Sequence, residues 1–273
     1  MIKAERQFIQ LVWDYYTAHG RHSLPWRTTQ NPYRILVSEI MLQQTQVERV
    51  IPKYQAFLKQ WSTVEKLAAA KLGEVLIAWQ GLGYNRRAKM LHACARLVVH
   101  GYNGQWPKTY KELLDLPGVG PYTAAAMMAF AYNSPIPLIE TNVRTVYIHH
   151  FYQDGVRVSD QELLPLIERT METANPRVWY AALMDYGSHL KSTVGNKSKA
   201  SSSYTKQAPF KGSDRQIRGA IVRRLSQSPG SVTRAVLEAD LVPPDSLRIT
   251  AQLDKLLAEG LVVAVGRKYS LPT

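Results

Sequence analysis

The sequence predicts a mainly α-helical protein with a large, two-lobed helical domain followed by a small one. Three observations lead to this fold class. Apolar residues recur at helical spacing through most of residues 1–190, strand signals are nearly absent there, and a Ser- and Lys-rich segment at 191–213 interrupts the pattern. A chain of 273 residues can bury one large core and one small one. We therefore expect domains at 1–190 and 214–273, joined by a basic loop at 191–213.

The first domain is predicted to contain helices of ordinary length. In the first of them, residues 4–18, Phe8, Leu11, Val12 and Tyr15 share one face. Further helices are expected at 34–44, 46–61, 63–70, 72–79, 85–101, 108–115, 121–132, 140–153, 159–173 and 176–190.

Residues 214–273 show the pattern of a winged helix-turn-helix. One helix begins at Asp214, a short one follows Ser231-Val232-Thr233, and a third follows Pro243-Pro244-Asp245. The apolar run 261–265 and residues 269–271 then flank a basic turn, which predicts a β-hairpin. Modules of this kind bind DNA or protein, and the sequence does not decide which of the two partners this one binds.

The composition favours a nucleic-acid partner. The chain carries 34 Lys and Arg against 21 Asp and Glu, a net charge of +13, which suits a polyanion. The single cysteine, Cys94, lies in an apolar helical run and excludes a disulfide framework. The sequence shows no secretory signal pattern and no apolar run near the ~20 residues that span a bilayer. We expect a cytoplasmic, nucleoid-associated protein.

The stretch from Leu116 to Ala124, Leu-Pro-Gly-Val-Gly-Pro-Tyr-Thr-Ala, predicts a tight hairpin between two helices. Gly118 and Gly120 tolerate unusual backbone angles and let a phosphate approach the amides. The N-terminus of the following helix favours an anion. The signal alone is weak, because many turns carry two such glycines.

Five motifs in a fixed order make the signal specific. They are Ser38-Glu-Ile-Met-Leu-Gln-Gln-Thr-Gln-Val47, Gly81-Leu-Gly-Tyr84, the hairpin, Ile139-Glu-Thr-Asn-Val143 and Ala182-Leu-Met-Asp-Tyr-Gly187. Together they resemble the MutY-like adenine DNA glycosylases of the helix-hairpin-helix base-excision superfamily over residues 20–190. This resemblance implies an enzyme that hydrolyses the N-glycosidic bond of a mispaired or damaged base in double-stranded DNA. Adenine is the base that the resemblance favours. We expect the enzyme to act as a monomer.

The chemistry requires a carboxylic acid and a carboxylate. The acid protonates the leaving base, and the carboxylate stabilises the cationic sugar. Glu39 lies among apolar residues that would raise its pKa, and the resemblance makes it the acid that protonates adenine N7. Glu140 stands where the family carries an aspartate, and its extra methylene displaces the carboxylate by about 1 Å, which can cost ~100-fold in rate. By the same resemblance, Asn142 hydrogen-bonds the carboxylates and their water.

Tyr122 directly follows the hairpin, where lyase members such as endonuclease III hold a lysine nucleophile. A tyrosine cannot form a Schiff base, so we predict a monofunctional glycosylase without AP-lyase activity. The tyrosine is expected to help hold the cationic sugar, with simple packing as the alternative.

Other residues are candidates for DNA contact. Polar amides and a flat ring can fill the gap left by an extruded nucleotide, and basic side chains can reach phosphate. The candidates are Gln43, Gln44, Leu82, Tyr84, Arg86, Gly118, Val119, Gly120, Thr123, Lys191, Lys197 and Lys199. For Arg86 and for the lysines, a solvated surface is the alternative.

The sequence departs from the family in two further ways. MutY-like enzymes and endonuclease III usually carry a four-iron–four-sulfur cluster on four cysteines, and the matching positions here are Lys191, Ser198, Ser201 and Gln207. None offers a thiolate, so we predict no cluster and no other cofactor or metal. The family's strand-rich domain that reads 8-oxoguanine is also not recognisable in 214–273.

Two alternatives stay open. The excised base could be thymine or uracil opposite guanine, or a deaminated or alkylated purine. The chain could instead bind DNA structure without catalysis, although a pure binder has no chemical need for Glu39, Tyr122 and Asn142 together.

Overall fold

A computed structural model describes residues 2–228, 230–240 and 246–273. Within them the chain is mainly α-helical, which confirms the predicted class. The helices up to residue 193 are α1 (Lys3–His19), α2 (Pro32–Leu42), α3 (Val47–Gln60), α4 (Val64–Ala69), α5 (Leu72–Ala78), α6 (Arg86–Gly101), α7 (Tyr110–Leu114), α8 (Pro121–Phe130), α9 (Thr141–Phe151), α10 (Asp160–Thr170) and α11 (Pro176–Thr193). A single 3-10 turn follows at Lys197–Ala200.

The remaining elements are α12 (Asp214–Ser226), β1 (Val232–Thr233), α13 (Arg234–Asp240), α14 (Ser246–Ala258), β2 (Val263–Val265) and β3 (Lys268–Ser270). The predicted hairpin is present as β2 and β3, which pair antiparallel with Ala264 opposite Tyr269. The sequence pattern missed β1, which pairs with the other edge of β3 through Val232 and Tyr269. A two-residue strand has too few positions to show alternation.

The chain divides into two compact units. The first unit comprises the residues up to Glu39 together with Pro107–Asp115 and Val119–Lys206. The second comprises Ile40–Trp106, Leu116–Gly118 and Gln207–Thr273. The boundaries that the sequence predicts at 190 and 213 stay predictions.

In the first unit the core forms where α9 packs against α11 and α1. Phe8 of α1 meets Tyr147 and Phe151 of α9, with ring centroids 5.1 and 5.0 Å apart. Its ring also lies edge-on to Trp179 of α11 at 6.2 Å. Aromatic pairs at these distances add directional preference to apolar burial, and they fix the helices that carry the candidate site.

In the second unit α12 packs on α14 and on α5 and buries Ile217, Ile221, Val222 and Leu225. The amide of Gly73 at the start of α5 donates to the carbonyl of Pro272 at 2.8 Å. On α14, Ile249 and Leu253 are buried, whereas Leu247 is 83% exposed. Residues 243–245, the predicted start of that helix, lie outside the described residues.

The winged-helix assignment of 214–273 stays a prediction. Among the described residues, no helix is both long enough and apolar enough to cross a bilayer.

Candidate active site

Four residues predicted to carry the chemistry lie in the first unit. Glu39 is on α2, Tyr122 is in the first turn of α8, and Glu140 and Asn142 lie at the start of α9. The hydroxyl of Tyr122 donates to Oε2 of Glu39 at 2.9 Å. The charge of Glu140 is close enough to act on both residues. The fold therefore brings together side chains that are 83 residues apart in sequence.

Glu39 is 6% exposed, and burial is the main reason why its pKa rises to about 7. The charge of Glu140 raises the pKa further, while the Tyr122 hydrogen bond and the Arg27 charge lower it. A carboxyl group with this pKa holds its proton in a useful fraction of molecules near neutral pH. The Tyr122 hydrogen bond engages Oε2 of Glu39 and not Oε1.

Glu140 caps the N-terminus of α9. Its Oε1 accepts hydrogen bonds from the amides of Asn142 at 2.7 Å and Val143 at 2.9 Å. Its Oε2 accepts from Nδ2 of Asn142 at 3.2 Å. Asp, Asn, Ser and Thr are the usual residues at this cap position, and the longer side chain of Glu140 takes their place here. Burial raises the pKa of Glu140, and the two backbone amides and the charges of Lys191 and Arg144 oppose that rise.

Asn142 is the most constrained member of the site. Within the described residues its Oδ1 is buried without a hydrogen-bond partner, which leaves an acceptor for a ligand group. Its backbone lies against Gly187 of α11, where an added Cβ would come 2.5 Å from the Asn142 carbonyl oxygen and 2.7 Å from its Cβ. Only glycine fits there, and this contact explains the last residue of the Met-Asp-Tyr-Gly motif.

Asp185, in the same motif, is a buried anchor with 3% exposure. It accepts from the backbone amide of Arg21 at 2.8 Å and forms ion pairs with Arg21 at 2.6 Å and Arg27 at 3.0 Å. A buried carboxylate with this many charged donors is costly to disturb. The motif was visible in the sequence, but the bracing roles of Asp185 and Gly187 were not.

The residues at the positions of the family's four cluster cysteines do not fit an iron–sulfur cluster. Ser198 and Ser201 are each 2% exposed. The hydroxyl of Ser198 donates to Oδ1 of Asn196 at 2.6 Å, and Oγ of Ser201 accepts from the amide of Ser203 at 3.2 Å. Among the described residues, no group of three or more His, Cys, Asp or Glu could hold a metal ion.

The loop that contains these serines is held by backbone hydrogen bonds to Val158. Val158 exchanges backbone hydrogen bonds with the loop, donating to Ala200 at 3.0 Å and accepting from Ser202 at 2.9 Å. Hydroxyl oxygens are poor ligands for iron in such a cluster, which takes thiolates. Cys94 is buried elsewhere on α6, and burial raises the pKa of its thiol to about 12.

The two hairpin glycines differ in their surroundings. Gly118 has φ +78, and a Cβ there would come 2.6 Å from Cβ of Met90. Gly120 has φ −93 and open space around its Cβ position, and it caps α8, whose first residue is Pro121. The first glycine is therefore required by the fold, whereas the second leaves the backbone open to an approaching group.

Three of the predicted DNA contacts have buried side chains. Leu82 is 4% exposed, Val119 is 6% exposed and Thr123 is 2% exposed. Any contact that they make with DNA must therefore use backbone groups. Among the basic candidates Arg86 and Lys199 are exposed, Lys191 is half-buried, and Lys197 pairs with Asp154 at 2.6 Å.

Two of the predicted DNA contacts in the second unit, Gln44 and Tyr84, have strained backbones, and we call them the probing residues. Gln44 has φ +56 and Tyr84 has φ +47, values that non-glycine residues rarely adopt. Gly81 and Gly83 also have positive φ, at +92 and +73. Gln44 is exposed, and Tyr84 is 38% exposed. Strain of this kind often marks a functional turn.

Arg87 holds both strained segments, a role that the sequence did not reveal. Its guanidinium donates to the carbonyls of Ile40, Met41, Gln43, Leu82 and Gly83 and to the hydroxyl of Thr45. Burial lowers the pKa of Arg87 to about 10. In sequence it resembles its exposed neighbour Arg86, so only the structure distinguishes the two.

Residues 37–169 match the model of the HhH-GPD superfamily base excision DNA repair protein family. An adenine DNA glycosylase of Mycolicibacterium smegmatis is 36% identical over 262 residues, covering 89% of this chain and 89% of the relative. One of Mycobacterium tuberculosis is 33% identical over 284 residues, covering 96% and 92%. Both alignments extend well beyond residue 190.

Solved structures agree with the fold. A thermostable thymine-DNA glycosylase is 27% identical with a TM-score of 0.62, over 72% of this chain and 92% of that one. A trapped endonuclease III–DNA covalent intermediate is 19% identical with a TM-score of 0.59, over 69% and 88%, and shares the fold.

The family match and the similarity to the mycobacterial relatives show that the chain is a base-excision DNA glycosylase of the HhH-GPD superfamily. Within that superfamily, the chain belongs to the MutY-like adenine DNA glycosylases.

Proposed function

We propose that this glycosylase removes adenine from a mismatch or lesion-containing pair in duplex DNA, acts as a monomer, and leaves the strand intact. The observation that carries the proposal is the buried acid Glu39, whose pKa rises to about 7 and which is oriented by Tyr122 at 2.9 Å. A purine leaves more readily when N7 is protonated, and an acid poised near neutral pH supplies that proton. The adenine DNA glycosylases at 36% and 33% identity support the choice of base.

The reaction begins when the target nucleotide is extruded from the duplex, because its glycosidic bond cannot be reached inside the stack. Oε1 of Glu39 gives its proton to N7 of adenine. The bond between C1′ and N9 then breaks, and its electron pair leaves with the neutral base. The deoxyribose carries the positive charge, which the nearby carboxylate of Glu140 stabilises.

Water completes the reaction. It attacks C1′ and transfers a proton to Glu39, which regenerates the acid. Asn142 donates to Glu140 at 3.2 Å and offers its buried Oδ1 to the attacking water. Tyr122 has no amine to form a Schiff base, and burial raises the pKa of its hydroxyl well above the usual value. An abasic site with an intact strand is the expected product.

The second candidate is excision of thymine or uracil opposite guanine, which the likeness to the thymine-DNA glycosylase favours. A pyrimidine has no N7, so an acid such as Glu39 would act less directly on it. Adenine is therefore the better-supported base.

The test uses duplexes that carry adenine opposite 8-oxoguanine, adenine opposite guanine, thymine or uracil opposite guanine, and hypoxanthine. Each is incubated with the full chain, and half of each sample is then heated in alkali. Strand cleavage of the adenine duplexes only after alkali is expected. Cleavage without alkali would contradict the role of Tyr122, and exclusive cleavage of the pyrimidine duplexes would establish the second candidate. Binding of every duplex without cleavage would identify a non-catalytic DNA-binding protein.

A further inference from the structure

Residues 207–211 of the second unit form a segment that we call the strap. All five residues are exposed, and none belongs to a helix or a strand. Phe210, the large apolar residue of the strap, is 62% exposed, so apolar burial contributes little to holding the segment in place. Segments that are held mainly by polar contacts open at low free-energy cost.

The strap is bonded to both probing residues. Nε2 of Gln207 donates to Oε1 of Gln44 at 2.7 Å and also to the hydroxyl of Tyr84. The guanidinium of Arg215, in the first turn of α12, donates to the same hydroxyl and to the carbonyl of Ala208. Its carbon lies 5.5 Å from the ring centroid of Tyr84. Polar groups of the probing residues that were expected to meet DNA are therefore engaged by the protein itself.

One end of the strap is anchored to the helices that follow it. Arg248 of α14 donates to the carbonyl of Gly212 at 2.9 Å and to Oδ1 of Asp214 at 2.7 Å. The amide of Gly212 donates to Oε1 of Gln216 at 2.7 Å. Gly212 has φ +75 and open space around its Cβ position. A glycine beside a fixed point can absorb the backbone rotation of a segment that swings away.

We propose that the strap is an autoinhibitory latch, which closes on Gln44 and Tyr84 in the free protein and opens when duplex DNA binds. The proposal rests on the function proposed above, since it requires both probing residues to contact DNA. A phosphate oxygen carries charge, so it binds a guanidinium more strongly than the neutral acceptors of Arg215 do. A duplex that reaches Tyr84 therefore competes for Arg215 and releases the strap. Until then, the closed fraction lowers the apparent affinity for DNA.

Gln207→Ala breaks the latch without changing the charge of the chain. Because this side chain makes two of the hydrogen bonds that keep the strap closed, we expect DNA affinity to rise roughly fivefold or more, with faster association. Both quantities are measured for the full chain on a duplex that carries a tetrahydrofuran abasic-site analogue. Thr205→Ala removes an exposed neutral side chain two positions earlier and is the matched control, which should leave both quantities unchanged.

A reversible crosslink tests the closed state directly. Gln44→Cys and Gln207→Cys are combined, and the two thiols are joined by a reducible bismethanethiosulfonate linker. Cys94 does not interfere, because it is buried and the pKa of its thiol is raised to about 12. We expect the linked protein to bind the duplex about tenfold more weakly, or worse, than the same protein after reduction. The reduced protein is its own control.

Unchanged or weaker binding by Gln207→Ala would overturn the proposal, and so would equal binding by the linked and the reduced protein. If circular dichroism shows that Gln207→Ala is unfolded, the crosslinked protein decides. Adenine excision by each protein is scored separately. A chain that binds duplex DNA without excising adenine contradicts the proposed function, whereas the latch is judged on binding alone.

Discussion

The acid site of the first unit and the probing turn of the second obtain their geometry in opposite ways. Glu39 lies within α2, and Glu140 is the extended N-cap of α9, so both have ordinary backbone conformations. Their unusual property is chemical, since burial raises both pKa values. Gln44 and Tyr84 are chemically ordinary, and their unusual property is a left-handed backbone. The pKa values of the two acids depend on what surrounds their side chains. The positions of Gln44 and Tyr84 depend on their backbone conformation. Each region can therefore be disturbed separately.

The largest effect is expected for Glu39→Gln. Loss of the general acid should lower the excision rate by about 10²–10⁴-fold, measured in single turnover, while DNA binding is retained. Retained excision would remove Glu39 from the mechanism.

The same variant should change stability in a pH-dependent way. The native pKa of about 7 exceeds the ordinary value of 4.5, so the free energy of unfolding of the unmodified chain falls as pH rises between them. The glutamine variant should therefore be more stable by about 3 kcal/mol above pH 7 and show no gain below pH 4.5. Denaturant unfolding at pH 5 and pH 8 measures this difference.

Gly187→Ala tests the support behind the acid site. Its Cβ would meet the Asn142 carbonyl at 2.5 Å, so α9 and α11 must separate. A displacement of about 1 Å at Glu140 should lower excision by ~100-fold. Ser188→Ala, on the next residue of α11, is the control. Equal rates for the two variants would show that the contact does not position Asn142.

Arg87→Met disturbs the probing turn and not the acids. It leaves several buried carbonyls without donors, so we expect destabilisation by about 3 kcal/mol and weaker discrimination among DNA duplexes. Arg86→Met removes the same charge from the exposed neighbour and should change stability by less than about 0.5 kcal/mol. Urea unfolding of both variants measures the difference, and equal stability would contradict the bracing role of Arg87.

The smallest effect is expected for Tyr122→Phe. Its hydrogen bond lowers the pKa of Glu39, so its loss should raise that pKa and move the alkaline limb of the pH–rate profile upward. We expect a rate loss of about tenfold or less, since the acid itself remains. A shift of the alkaline limb to lower pH would show that Tyr122 does not act by lowering the pKa of Glu39.

These differences explain what the sequence could and could not predict. Helical periodicity and the ordered motifs were sufficient for the fold class and for the choice of Glu39, Tyr122, Glu140 and Asn142 as candidates. The site assignments themselves stay predictions until variants are measured. Glu140 shows the limit clearly, because the sequence revealed its identity but not that it would cap α9.

Long-range bracing contacts were not predictable. Gly187 matters because of the backbone 45 positions earlier that it touches, and Arg87 matters because several carbonyls converge on it. Neither fact has a local signal, since hydrophobic spacing and turn chemistry report only on neighbours in sequence. The buried serines at 198 and 201 are a further case, because a Ser-rich segment reads as a solvated loop.

The left-handed backbone at Gln44 and Tyr84 also limits how the chain can evolve. Each position costs about 1–3 kcal/mol that glycine would largely relieve. A library selected only for thermal stability should therefore accumulate glycine or asparagine at both positions. A library selected for repair should keep the bulky amide and ring. If the two libraries differ at positions 44 and 84, selection for function and not for folding maintains Gln44 and Tyr84.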